Sequence, residues 1–201
     1  LFKCPIRNEV VNWQALHTFN PAAVVKNGIV YLLYRAEDDT GNGIGGHISR
    51  IGIASSIDGK HFKKSKKPVL YPDIDSQRKY EQDGGCEDPR IVYSNDGNYV
   101  MTYTQWDRKT ARLAVASSKD LLHWTKHGPA FAKALNGKYL NTWSKSGSIV
   151  TALKNGKLVA VKIKGKYWMY WGEGSVGLAY SSNLKDWTIV EDSQGKPLQI
   201  L

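Results

Sequence analysis

One pattern returns three times along this chain and narrows the possible folds more than any other feature. The segments "RIGIASSIDGKHF" (50–62), "RLAVASSKDLLHW" (112–124) and "VGLAYSSNLKDW" (176–187) each join an alternating apolar run to a serine pair, a turn with Asp or Asn, and an aromatic. The closing aromatics Phe62, Trp124 and Trp187 are 62 and 63 residues apart. Upstream lie "NGIVYLLYRAE" (27–37), "DGNYVMTYTQW" (96–106) and "KGKYWMYWGEG" (164–174), whose leading glycines are 69 and 68 apart. Further upstream are "NPAAVVKNG" (20–28), "DPRIVYSNDG" (88–97) and "SIVTALKNG" (148–156). A fixed period of this length marks a repeat architecture.

Each repeat reads as strand, turn, strand, loop, strand, turn, strand. Asn-Gly and Asp-Gly between apolar runs are strong hairpin signals. No helical stripe of useful length competes with them. Four antiparallel strands per repeat describe a blade of a β-propeller, so the fold class expected is all-β. The blades are placed near 20–68, 88–128 and 148–190, in one incomplete domain over 1–201. Propellers close with roughly 4–8 blades, so three imply a piece of a longer protein. The aromatics that end each repeat are expected to pack between blades.

Composition excludes several functions. The formal charge is +10, from 28 Lys+Arg against 18 Asp+Glu. The lysines are scattered over turn segments such as "DGKHFKKSKKP", without a basic helix or RNA-binding signature, so no nucleic acid is expected as partner. No apolar run approaches the roughly 18 residues of a membrane span. The five histidines show no ligand spacing, so no metal is expected. Cys4 and Cys86 match no zinc or redox spacing; two free thiols are expected, with a disulfide between them the alternative. "GNGIGG" (41–46) lacks the Lys-Ser/Thr ending of a phosphate loop and reads as a plain loop. The chain opens "LFKCP", without methionine or a visible signal peptide, and is expected to have been processed or trimmed.

The stretch "GGCEDPRI" (84–91) sets two carboxylates at the mouth of an apolar strand, where desolvation is costly. In a propeller the first strand of each blade lines a wet central channel. The repeat then makes Asn20, Asp88 and Gly147 equivalent, just ahead of that strand, with their neighbours converging at one end of the channel. Arg35, Glu37 and Asp38 of "YRAEDD", Trp106 and Asp107 of "TQWD", Trp143 and Lys145 of "WSKSGSI", and Trp171 and Glu173 of "YWGEG" join them. The blander alternative has Glu87 and Asp88 capping a turn and pairing with Arg90. Carboxylates, an arginine, amides and aromatics around one funnel suit a carbohydrate.

"FNPAA", "YLLYRAED", "SRIGIASSIDG", "GGCEDPRI", "ARLAVASSKDLLHW" and "KSGSI" together resemble glycoside hydrolase family 130, from about Phe19 to Trp187. The resemblance implies a five-bladed β-propeller with about three blades in this chain. It also implies inverting cleavage of β-mannosides, by hydrolysis in some members and phosphorolysis in others. By motif, Asp88 corresponds to the general acid, and Asn20 and Arg35 to residues holding the mannose. Asp107 and Trp106 are further candidates for sugar binding. Lys145 stands where many of the phosphorylases bind phosphate with a lysine. Those enzymes commonly show "HR" after the "GKY.M" strand. Here "GKYWMYWGEG" supplies Glu173 instead, and no arginine follows Arg112. Glu173 resembles the glutamate that family hydrolases use to hold water, and is expected across the pocket from Asp88.

The expectation is therefore an inverting hydrolase of short manno-oligosaccharides, β-1,2-linked by the resemblance. A β-mannoside phosphorylase releasing mannose 1-phosphate is the alternative, and a non-catalytic sugar-binding propeller the second. No cofactor is expected; inorganic phosphate is co-substrate in the phosphorylase case. The partner is an oligosaccharide, and a homo-oligomer is left open. The resemblance favours a bacterial periplasmic or secreted location over a cytoplasmic one.

Overall fold

The computed structural model describes residues 1–43 and 46–201, so part of the "GNGIGG" loop, residues 44 and 45, lies outside the described residues. The chain is nearly all-β. Among the described residues its helical content is one four-residue turn, α1 (Arg78–Glu81), and a short 3-10 turn at Ala134–Gly137. No helix among the described residues is long and apolar enough to cross a membrane.

A small hairpin, β1 (Phe2–Cys4) with β2 (Glu9–Val11), opens the chain. The first repeat unit follows as β3 (Thr18–Lys26), β4 (Ile29–Glu37), β5 (Ser49–Ser56) and the two-residue β6 (Lys63–Lys64). The second is β7 (Gly85–Tyr93), β8 (Tyr99–Trp106), β9 (Ala111–Ser118) and β10 (Thr125–Pro129). Both are antiparallel meanders. The third begins with β11 (Ser148–Ile149), β12 (Thr151–Lys154), β13 (Lys157–Ala160) and β14 (Lys162–Ile163). It ends with β15 (Lys166–Trp171), β16 (Gly177–Ser181) and β17 (Thr188–Ile189).

The third unit departs from the simple repeat. Two hairpin turns stand where the others have one: Asn155-Gly156 and Lys164-Gly165, each with both residues at positive φ. The β12–β13 arm reaches back to the second unit, where Val159 pairs in parallel with Tyr93 of β7. First and second units meet at another parallel bridge, Ser49 with Gly85. The sheets do not close into a ring among the described residues.

The repeated serine and Asp/Asn have a local task. Ser118 Oγ accepts the backbone N–H groups of Asp120 and Leu121, and Asp120 Oδ1 accepts those of Leu122 and His123. Ser56 with Asp58, and Ser181 with Asn183, repeat the arrangement. Turn donors that would otherwise lack partners are thereby satisfied. The aromatics that follow face the core, Trp187 fully and Phe62 and Trp124 partly.

Two apolar layers hold the units together. Leu33, Ile51 and Ile53 pack against Ile91, Met101 and Ala114 between the first two. Val92, Leu113 and Val115 pack against Ile149, Met169 and Trp187 between the last two. The opening hairpin and Trp13 cover Tyr34, Ala36 and Ala54. Trp13 comes so near the sheet that a Cβ on Gly52 would lie 2.7 Å from its ring. Cys4 and Cys86 are both buried free thiols.

The feature that places functional groups is a pair of bulges. On β3 the register slips between Phe19 and Ala22, and on β7 between Glu87 and Arg90. Asn20 and Asp88 occupy the slips with φ of 48° and 51°. Asn and Asp are the non-glycine residues that best tolerate this left-handed state. The prolines that follow, Pro21 and Pro89, need no ladder partner at a bulge because they carry no N–H. Bulges re-aim side chains, so "NP" and "DP" are local instructions for turning an amide and a carboxylate out of the pleat. Asn20 and Asp88 therefore lie within the strands, not ahead of them as expected. In the third unit the left-handed residue is Ser146 (φ 55°), one position before the expected Gly147. Gly147 instead permits close packing; a Cβ there would lie 2.8 Å from Leu113.

Candidate active site

Asn20, Arg35, Asp88, Lys145 and Glu173 converge on one side of the inner strands. Arg35, on β4, is the hub. Its Nη2 lies 2.7 Å from Glu37 and 2.9 Å from Glu87, and its Nη1 lies 3.4 Å from Asp88 Oδ1. Nε donates to Ser49 Oγ at 2.9 Å, and the guanidinium stacks 4.7 Å over the Phe19 ring. A planar fork of five donors suits such a task. Asn20 Nδ2 donates to Asp88 Oδ1 at 2.8 Å, tying the two bulges together.

Lys145 lies across from Arg35. Its ammonium is 3.7 Å from Glu87 Oε2, 3.7 Å from Asp88 Oδ2 and 3.9 Å from Glu173 Oε1. Both the Asp88 and the Glu173 carboxylates thus lie within about 4 Å of the same ammonium, an upper bound of about 8 Å on the separation of their near oxygens that admits both the inverting and the retaining spacing of a carboxyl pair. Trp143 Nε1 donates to the other Glu173 oxygen at 2.8 Å. Trp106 meets Trp143 edge to face, with ring centroids 5.5 Å apart. A cavity of about 460 Å³ opens beside the cluster, lined by Asn20, Asp88, Arg90, Ser146 and Ser148 among others.

The charge balance is acidic. Four carboxylates, Glu37, Glu87, Asp88 and Glu173, face two cations, Arg35 and Lys145. Glu87 is 3% exposed, and burial pushes its carboxyl above the usual range against the pull of Arg35 and Lys145. The neighbouring charges of Asp88 and Glu37 push the same way.

Some candidates lie elsewhere. Asp107 Oδ1 accepts the N–H groups of Lys109 and Thr110, and Oδ2 pairs with Arg112 at 2.6 Å. Both oxygens are committed to closing the β8–β9 turn, so Asp107 does not join the cluster. Asp38 forms a buried pair with Arg50 at 2.6 Å. Trp171 packs against Phe131 in the core. Arg90 lines the cavity, and Arg35 holds Glu87 and Asp88 in its place. Ser49 and Phe19 were missed; an isolated Ser at a strand start and one aromatic before "NP" give no signal of a shared arginine. No group of His, Cys, Asp and Glu fit for a metal occurs among the described residues.

The chain matches glycoside hydrolase family 130, described as beta-1,4-mannooligosaccharide phosphorylase, over residues 3–196. It is 33% identical over 179 residues to a 1,2-beta-oligomannan phosphorylase of Thermoanaerobacter sp. (strain X514), covering 87% of this chain and 53% of that protein. A glycosyl hydrolase structure from Bacteroides ovatus is 53% identical with a TM-score of 0.96, covering 98% of this chain and 55% of the other. A second structure is described by the words "The GH130 family of mannoside phosphorylases contains glycoside hydrolases that target beta-1,2 mannosidic linkages in Candida mannan". It is 54% identical with a TM-score of 0.96, over 98% of this chain and 55% of the other. The chain thus spans about half the length of these relatives.

Proposed function

The chain belongs to glycoside hydrolase family 130, and on that footing we propose that the whole protein cleaves short β-linked manno-oligosaccharides with inversion, transferring mannose to water. The three units are then successive blades of a five-bladed propeller, near 20–68, 88–128 and 148–190, and later blades supply the far wall of the site.

In this reading Arg35 and Asn20 hold the sugar hydroxyls, and Asp88 delivers a proton to the glycosidic oxygen as the C1–O bond breaks. Water forms the new bond to C1 from the opposite face, and Glu173 takes its proton. Proton transfer of this kind contributes about 10²–10⁴-fold. Asn20 and Arg35 engage Asp88 through Oδ1; Oδ2, 3.7 Å from the Lys145 ammonium, is then the oxygen that faces the leaving oxygen.

Phosphorolysis is the second reading, and the names of the curated relatives back it better than hydrolysis. Phosphorylases of this family use inorganic phosphate as co-substrate and no cofactor. Lys145 is the residue that favours it. The observation that carries the hydrolytic reading is electrostatic: Lys145 is already shared by three carboxylates. Each unit of negative charge on a phosphate beside the Glu173 carboxylate meets repulsion of about 4 kcal/mol at 4 Å and an effective dielectric near 20, whereas water meets none. A structure 53% identical to this chain is described as a glycosyl hydrolase, which supports the same side.

The test is Glu173→Gln in the whole protein. With β-1,2-mannobiose in phosphate-free buffer, kcat falls by about 10²–10⁴-fold while the parent enzyme turns over. Activity of the parent only on adding phosphate, with Glu173→Gln equal to it, would overturn hydrolysis in favour of phosphorolysis.

A further inference from the structure

We propose that Trp143 is a positioning residue for Glu173, steadied from behind by Trp106 and Gly84; the proposal rests on the water-holding role of Glu173. Glu173 is poorly held by its own backbone. It sits just past the end of β15 between Gly172 (φ 140°) and Gly174 (φ 82°), and its side chain is 54% exposed. A long carboxylate between two glycines has many conformations, and a base must be fixed over one atom.

The holder comes from the segment 143–145. Trp143 Nε1 donates to Glu173 Oε2 at 2.8 Å. The Lys145 ammonium lies 3.9 Å from Oε1, so a donor and a cation attend opposite oxygens of one carboxylate. The Gly172 N–H donates to the Lys145 carbonyl at 2.9 Å and locks the two segments together. Trp143 itself is 49% exposed, so its indole is not fixed by burial. Trp106 abuts it edge to face, 5.5 Å between centroids, and comes from β8 of the second unit. Gly84 in turn makes room for Trp106: a Cβ there would lie 2.3 Å from its ring and 2.3 Å from its carbonyl oxygen.

The contacts form one line from Gly84 through Trp106 and Trp143 to Glu173. Gly84 immediately precedes β7, the strand that carries Asp88. One aromatic stack therefore sets the spacing between the proton donor on the second unit and the proton acceptor on the third. The "GG" ahead of "CEDPR" then has a function beyond turning the chain: it accepts the indole that supports the opposite carboxylate.

The experiment uses the whole protein and a double-mutant cycle. Trp143→Phe keeps a ring for Trp106 but removes the N–H. The expected result is a fall in kcat of about 10–100-fold with KM and Tm little changed, since misplacing a reacting group by about 1 Å costs up to that much. On a Glu173→Gln background the same substitution has no further effect, because the group it positions is gone. Gly84→Ala, which touches neither carboxylate, lowers kcat in the same direction. Full activity in Trp143→Phe, or losses that multiply in the double variant, overturns the positioning role while leaving the water-holding reading intact. An unchanged kcat in Glu173→Gln alone removes both.

Discussion

Asp88→Asn in the whole protein is expected to lower kcat on a manno-oligosaccharide by about 10²–10⁴-fold, with the Tm within a few degrees of the parent. The amide keeps the shape of the carboxyl and can still accept the Asn20 N–H that fixes Oδ1 at 2.8 Å. What is lost is the proton for the leaving oxygen. A sugar leaving group needs that proton; a nitrophenolate, already a weak base, needs it far less. The deficit should therefore be large for β-1,2-mannobiose and much smaller for 4-nitrophenyl β-mannoside. Equal losses on the two substrates, or retention of most activity on the disaccharide, would contradict the assignment of Asp88 as the acid.

Arg35→Met is expected to cost about 3–5 kcal/mol of stability near neutral pH, measured by denaturant unfolding. The guanidinium is almost fully buried and is the cation shared by Glu37, Glu87 and Asp88. Methionine fills part of the volume but leaves buried carboxylates without their counter-charge. The deficit should shrink in acid, and the direction follows from linkage. Glu87 already binds its proton more tightly in the folded state, because burial raises its pKa. A carboxyl raised in this way favours the folded state at low pH, and that advantage fades as pH climbs from the unfolded value to the folded one. Without Arg35 the rise is larger, so the variant should regain stability relative to the parent as pH falls toward 5. A loss below about 1 kcal/mol, or one independent of pH, would show that Arg35 is not the counter-charge of the cluster.

The repeat made the three-unit, nearly all-β organisation legible, because spaced serines, turn residues and aromatics are local signals with a fixed period. The convergence of Asn20, Arg35, Asp88, Lys145 and Glu173 was also readable, since equivalent strand ends come together once the repeat is folded. The bulges were not. "NP" and "DP" mark extended backbone, but the register slip that puts them inside the strand depends on pairing with β4 and β8. In the third unit the left-handed residue is Ser146, not the expected Gly147.

Two misplaced residues had usable signals. In "KYWMYW" strict alternation puts Tyr167, Met169 and Trp171 on the face opposite Trp168 and Tyr170, which assigns Trp171 to the core. In "WDRKTAR" an Asp ahead of a tight turn is a local backbone acceptor first, as Asp107 is. The opening hairpin over residues 2–11 carried no pattern of its own; its place is fixed by burying Trp13 against Gly52, a contact no local spacing reveals.

The central claim is inverting transfer of mannose to water, and one proton NMR time course tests it most directly. The whole protein is mixed with β-1,2-mannobiose in buffer freed of phosphate, and the anomeric signals are followed before mutarotation. The account predicts free α-mannose as the first product from the non-reducing residue, formed at a rate unaffected by adding phosphate. Release of the non-reducing residue as β-mannose, or no cleavage until phosphate is added and then α-mannose 1-phosphate together with the leaving mannose, would contradict it.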